Sequence, residues 1–476
     1  MIVAASRMAM VIVSVILVGA PTGGLFSSTW ASGGSGIGTP DIGSTGSAVA
    51  TLKLGVNVGS HGSDPFFAVV LTDVGTPLKD LVALGSYLNT TPMNWFRFGG
   101  AGESYDPTTQ TNYQPPPSGV GKYRAYHAPL WNLHWFKSWC YSRTPHCQWL
   151  SYLPAEENDT RAAVHVAKWF HSVLGAVPTY WEFGNEPSAW VHYGKNYSTW
   201  STSDHSAVTP LGYATMVHAY IQAVSALYPS DRYIGIEAAC ACSNAIAAQT
   251  AALNGPKLAS MAYHSYPSTL GSSTVLGKFL GLLASASNIT STFGQFSRAV
   301  GSACRTCASI PLGLGEFQAG PFYSFSPLSR GYGGVPFLTG SVIQALGANV
   351  SQLTVFDSNM LFDTSRRTPT FEGLLFSRIL ANLTMGKDVQ VSVTGSHVTG
   401  AWAILTQNGS HRSLLVVNAN ALTALNLTVP AGVFPVAHSG SYWSWSASTR
   451  LPTAHLSVTL PSSYVVAPEG ILLLTT

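Results

Sequence analysis

The sequence predicts a (β/α)8 TIM barrel followed by a C-terminal antiparallel β-sandwich, and three observations carry that expectation. Eight short apolar runs alternate with helical patterns between residues 50 and 384, at the spacing of strand–helix units that close into a parallel barrel. From residue 385 onward the helical period disappears, and short alternating runs separated by turn residues take its place. The chain has 476 residues, more than one ordinary core holds, which suits a large barrel with a smaller partner domain.

The elements follow in chain order. Arg7 precedes the apolar stretch Met8–Ala20, long enough for a signal-peptide core and short for a membrane span, and Ala31 offers a small residue for cleavage. Residues 1–31 are therefore expected to be a signal peptide and the protein secreted, with an uncleaved N-terminal anchor as the alternative. Residues 32–49 are Gly/Ser-rich and read as a tether, from which Ser47–Lys53 can lend the sandwich a strand. Barrel strands are expected at Leu52–Val58, Trp95–Gly99, Trp149–Leu153, Tyr180–Gly184, Tyr233–Ala238, Ser260–His264, Pro311–Gly315 and Gln352–Phe356. Among the helices, Thr160–Leu174 follows Asp159 as N-cap, places Ala163, Val166, Ala167, Phe170 and Leu174 on one face, and stops at Gly175. Pro210–Tyr228, Val335–Leu346 and Thr370–Leu383 read the same way. The sandwich, residues 385–476, draws on Val389–Val393, Ala401–Leu405, Ser413–Asn418, Leu425–Val429, His455–Leu460 and Gly470–Leu474.

Composition narrows the function. Only 9% of residues are charged, against about 25% in ordinary soluble chains. That deficit argues against disorder, a coiled coil and a nucleic-acid surface. No internal apolar run reaches membrane-spanning length, so no span is expected once the signal is removed. Eight Asn-x-Ser/Thr sequons, at Asn89, Asn158, Asn196, Asn288, Asn349, Asn382, Asn408 and Asn426, agree with export. Six cysteines form close pairs, Cys140/Cys147, Cys240/Cys242 and Cys304/Cys307, for which disulfides are the default in an exported chain and free thiols or a metal the alternatives. The sequence has no G-x-S-x-G of a serine hydrolase and no HExxH of a zinc peptidase.

In so acid-poor a chain the nine glutamates are informative. Barrel chemistry sits where strands end, and Glu186 and Glu316 closely follow the fourth and seventh strands. Two carboxylates converging on one pocket are what glycosidic cleavage requires, one to protonate the leaving oxygen and one to attack or support the sugar carbon. Glu182 and Glu237 lie within strands, and Glu103 lies in the loop after the second. Trp131, Trp135, Trp139, Trp181 and Trp190 cluster in the third and fourth units, and some are expected to line a sugar cleft.

The segment Trp181-Glu182-Phe183-Gly184-Asn185-Glu186-Pro187 resembles the fourth-strand signature of the clan A retaining glycoside hydrolases. Phe96-Arg97-Phe98-Gly99-Gly100, Leu314-Gly315-Glu316 and Gly331-Tyr332-Gly333-Gly334 bring the resemblance closest to glycoside hydrolase family 79, which contains β-glucuronidases and heparanase. The resemblance spans roughly residues 50–475. It implies Glu186 as acid/base, Glu316 as nucleophile, Asn185 on the sugar 2-hydroxyl and Arg97 paired with Glu316. It further implies that His264 and Tyr266 orient the nucleophile and that Gly333 and Gly334 offer backbone amides to a uronate. Asn57 and Glu103 are weaker candidates for substrate contact. Where the family has an aromatic hydroxyl before the last helix this chain has Phe371, so a neutral sugar such as glucose or xylose competes with a glucuronide. No cofactor and no metal is needed for that chemistry, and the expected partner is an oligo- or polysaccharide or glycoside. A transglycosylase and a non-catalytic surface carbohydrate-binding protein are the competing readings.

Overall fold

The computed structural model describes residues 47–476 apart from 61–66, 72–77, 99–104, 107–110, 113–129, 145, 156–157, 176–179, 188–208, 239–243, 266–285, 287, 318–333, 356–360, 396–397, 399, 421–422, 435–438, 446–451, 454–462 and 469. The expected signal peptide and most of the tether therefore lie outside the described residues, as do Cys240, Cys242 and the run His455–Leu460.

Eight parallel strands close into a barrel. In order they are Phe67–Leu71, Trp95–Phe98, Gln148–Leu153, Tyr180–Phe183, Arg232–Ala238, Leu258–Ser265, Leu312–Phe317 and Leu353–Val355. The eighth pairs with the first through Leu353 opposite Phe67, which completes the ring. Seven of the expected runs are barrel strands; Leu52–Val58 is not. It belongs to Ser47–Ser60, which pairs antiparallel with Lys387–Thr394 and parallel with Ala424–Thr428 outside the barrel. The physical reason is its alternation. Leu52, Leu54, Val56 and Val58 alternate with Lys53, Gly55 and Asn57 in the sequence, and Ala48, Ala50 and Leu52 are buried while Val49, Thr51 and Lys53 are exposed, as a half-solvated sheet requires. A parallel barrel strand is covered on both sides and reads as a continuous apolar run, which Phe67-Ala68-Val69-Val70-Leu71 supplies.

Local sequence explains the helix ends. The Asp159 side chain accepts the Arg161 N–H at 2.8 Å and caps Thr160–Leu174, and Gly175 ends it at φ 88° with its N–H on the His171 carbonyl. Thr209 and Thr370 cap Pro210–Ser225 and Phe371–Ala381 in the same way.

The C-terminal strands form one nine-stranded sheet that includes Ser47–Ser60. It is mixed rather than purely antiparallel, because Ser47–Ser60 runs parallel to its neighbour Ala424–Thr428. Period-2 alternation gives the sheet two apolar faces. Ile404, Leu415, Val417, Ile471 and Leu473 join the barrel's core. Leu405, Leu414, Val416, Leu472 and Leu474 join a second core with Leu52, Leu427 and Phe434. Helix Gly334–Gly347 packs beneath the sheet, and a Cβ on Gly340 would come within 2.7 Å of the Trp402 ring. Gly340→Val should therefore overpack this junction and lower stability by about 1–3 kcal/mol, read as a lower denaturation midpoint, and Trp402→Ala should relieve part of that loss.

Disulfides join Cys140 to Cys147 and Cys304 to Cys307. Among the described residues no helix is long and apolar enough to cross a membrane.

Candidate active site

Inward-facing side chains from six barrel strands meet at the strands' C-terminal ends. Arg97, on the second strand and fully buried, organises them. Its Nε donates to both Glu182 oxygens at 2.8 and 2.9 Å, its Nη2 donates to Asn185 Oδ1 at 3.0 Å, and its Nη1 donates to Glu316 Oε1. The ring of Tyr152, from the third strand, lies 5.1 Å from the guanidinium carbon. Opposite stands His264 on the sixth strand, also buried. Its Nδ1 is 2.8 Å from Glu186 Oε1 and 3.5 Å from Glu316 Oε2, and its Nε2 is 2.6 Å from Glu237 Oε2.

Backbone irregularities aim these groups. Gly184 at φ 71° and Glu186 at φ 50° turn the chain sharply after the fourth strand, and the Glu186 N–H is tied to the Glu237 carbonyl at 3.1 Å. Glu186 is a non-glycine residue in the left-handed region, a strained conformation that neighbouring structure must hold. On the seventh strand the pairing register slips between Leu314 and Glu316. Leu314 packs in the core shared with the helices, and strict alternation would send Glu316 the same way. The bulge at Gly315 turns it inward. A second slip, between Ile234 and Glu237 on the fifth strand, does the same for Glu237.

Burial and pairing set the protonation states. For Glu182, burial dominates over the Arg97 charge, and its carboxyl lies well above the ordinary range, with nearby Glu237 pushing the same way. For Glu237, burial opposes ionisation but is outweighed by Arg97 and by the His264 hydrogen bond, and its carboxyl lies below the ordinary value. Burial likewise opposes a charged His264, yet the charge of Glu316 and the bonds to Glu186 and Glu237 raise it to about 10. That shift has a defined sign. The ordinary value is 6.5 and the folded value about 10, so the stability His264 contributes is full below pH 6.5 and disappears as pH rises through 10. Denaturant titrations should show stability declining across that window, with the decline reduced in His264→Gln.

One oxygen of Glu186, one of Glu316 and a nitrogen of His264 all lie within 4.8 Å of one another, close enough to hold a cation. Both His264 nitrogens already face carboxylates.

Of the residues singled out from sequence, Glu186, Glu316, Asn185, Arg97 and His264 meet here. Gly334 opens helix Gly334–Gly347 and is buried. Tyr266, Gly333 and Glu103 lie outside the described residues. Asn57 is displaced: it is exposed on Ser47–Ser60, opposite Val389 of the nine-stranded sheet, because its strand is not a barrel strand. The tryptophans whose side chains are described are structural. Trp135 and Trp139 stack at 5.9 Å, and Trp181 packs edge-on against Phe170 while donating to Asp231 at 2.6 Å. Sequence reasoning passed over Glu182, Glu237 and Tyr152. A usable signal existed, since a glutamate within a buried strand must have a charged or hydrogen-bonded partner.

No protein-family model matches the chain, and no curated protein matches it in sequence. Solved structures do match in fold. The family 51 α-L-arabinofuranosidase AbfB from Bifidobacterium longum aligns over 91% of this chain and 100% of its own, with a TM-score of 0.65 at 12% identity. An α-L-arabinofuranosidase from Thermotoga maritima aligns over 90% and 99%, with a TM-score of 0.63 at 11% identity. The bifunctional glucanase-xylanase CelM2 from a metagenome library aligns over 90% and 98%, with a TM-score of 0.62 at 11% identity. The chain shares its fold with these structures over about nine-tenths of its length.

Proposed function

We propose that the protein is a retaining glycosidase that cleaves glycosidic bonds by double displacement, with Glu186 as acid/base and Glu316 as nucleophile. One observation carries the reading: carboxylate oxygens of Glu186 and Glu316 approach within 4.8 Å in a buried, inward-facing cluster. Retaining enzymes hold their carboxyl groups about 5–5.5 Å apart, whereas inverting ones leave about 6.5–9.5 Å for a water. The fold shared with arabinofuranosidases and a glucanase-xylanase supports a glycoside substrate.

In this scheme Arg97 presents Glu316 to the anomeric carbon as a carboxylate and also fixes Asn185 through its Oδ1, placing that side chain for the sugar 2-hydroxyl. Glu186 gives its proton to the departing oxygen as the Glu316–sugar bond forms. It then takes a proton from the water that breaks that bond.

For the glycone, resemblance to family 79 favours a β-glucuronide. Phe371 and the neutral sugars named for the structural neighbours favour a second reading, a pentoside or glucoside. We further propose secretion after loss of residues 1–31, which sequencing the N-terminus of the exported protein checks. Aryl β-glucuronide, β-glucoside, β-xyloside, β-galactoside and α-L-arabinofuranoside, assayed at pH 3–7 beside Glu316→Gln, decide the glycone. Turnover of one sugar by the wild type alone is expected. Equal release by both proteins would reject the assignment of Glu316.

A further inference from the structure

We propose that Glu237 is a positioning residue: its carboxylate, admitted by the missing side chain of Gly315, holds His264 as a two-sided hydrogen-bond donor placed between Glu186 and Glu316. The geometry comes first. His264 Nδ1 faces Glu186 at 2.8 Å and Nε2 faces Glu237 at 2.6 Å, both carboxylate oxygens. A neutral imidazole has one N–H: placed on Nε2 it would leave a lone pair at Nδ1 facing the nucleophile carboxylate Glu316 at 3.5 Å, and placed on Nδ1 it would leave one facing Glu237. The ring is buried, so bulk water does not relieve that conflict.

Two separate features of the backbone serve the same carboxylate. The slip between Ile234 and Glu237 turns it inward. On the neighbouring seventh strand, a Cβ at residue 315 would lie 1.8 Å from Glu237 Oε2, so no side chain fits there while Glu237 keeps its place. A glycine inside a strand weakens it and marks a close approach, and here the approaching group is the partner of His264. Among the described residues, the remaining charged or titratable groups around this cluster are Arg97 and Tyr152 from the second and third strands, Glu182 and Glu186 from the fourth and Glu316 from the seventh. The raised His264 and lowered Glu237 protonation equilibria agree with the pairing.

The consequence rests on the glycosidase reading. As the glycosyl-enzyme forms, the bond from sugar to aglycone breaks and an ester bond forms at Glu316. The proton of Glu186 leaves with the aglycone, so one negative charge passes from Glu316 to Glu186. His264 Nδ1, 2.8 Å from one and 3.5 Å from the other, donates to whichever carboxylate is ionised and keeps both its protons throughout.

The test is nitrogen-15 NMR of ring-labelled histidines in the full chain, with His264 recognised by loss of its signals in His264→Asn. The wild type should show both His264 nitrogens protonated from pH 5 to pH 8. In Glu237→Gln the ring should lose a proton about one to three pH units lower. With an aryl glycoside that the wild type turns over, kcat should fall while KM changes little, and the alkaline limb should move to lower pH. A neutral His264 ring in the wild type at pH 7, or the same titration in both proteins, would overturn the proposal. If Glu237→Gln does not fold, the wild-type spectrum decides alone. Failure of the glycosidase reading would appear separately, as absent turnover with the NMR result intact.

Discussion

Glu316→Gln should abolish turnover of every glycoside the wild type hydrolyses, with kcat falling by roughly a thousandfold or more. The side chain keeps its volume and its contact with Arg97 but cannot form the ester. The companion change, Glu186→Ala, should depend on the leaving group. A general acid contributes about a hundredfold to ten-thousandfold, and that contribution matters most where the aglycone is a poor leaving group. Dinitrophenyl glycosides should thus keep much of their first-step rate, while alkyl or saccharide aglycones lose nearly all of it. Azide should restore turnover of activated substrates by Glu186→Ala, because an anionic nucleophile needs no base. Equal losses for good and poor leaving groups would remove Glu186 from the acid role.

Arg97→Met carries the second large effect. Arg97 contacts Glu182, Asn185 and Glu316 without exposure to solvent, and its Nη2 lies 3.9 Å from Glu237. Removing one partner from a buried ionic network costs about 3–5 kcal/mol, because the others remain buried and uncompensated. That is a large share of a typical 5–15 kcal/mol of folding stability, so the variant should unfold at a markedly lower denaturant concentration and be inactive when folded. Arg97→Lys keeps the charge but not the planar fork that reaches several acceptors at once, and it should recover stability more than activity. Wild-type stability in Arg97→Met would mean that Arg97 does not neutralise the cluster.

Much of this was legible in the sequence, for identifiable reasons. Seven barrel strands stood out because the apolar runs and helical periods alternate cleanly, and Asp159 and Gly175 mark their helix by side-chain and backbone chemistry alone. The first strand was misplaced because Leu52–Val58 has β texture too, and only its alternation tells a half-solvated strand from a barrel strand. Asn57 went with it. Glu186 and Glu316 were legible because both end strands and sit in motifs rich in glycine and asparagine. Glu237 was not, since period-2 reasoning assumes an unbroken strand, and the slip after Ile234 changes which face it meets. Bulges leave little trace in one sequence. Gly315 is such a trace, and its meaning emerges only when the neighbouring strand's carboxylate is seen against it.

The central claim, that Glu186 and Glu316 work as a closely spaced retaining pair, is tested most directly by the configuration of the first-formed sugar. Proton NMR should follow the wild type acting on whichever aryl glycoside it turns over, before mutarotation. Retention of the substrate's anomeric configuration is the expected result. Inversion would mean that a water attacks in one step, which contradicts two carboxylates within 4.8 Å acting as acid/base and nucleophile.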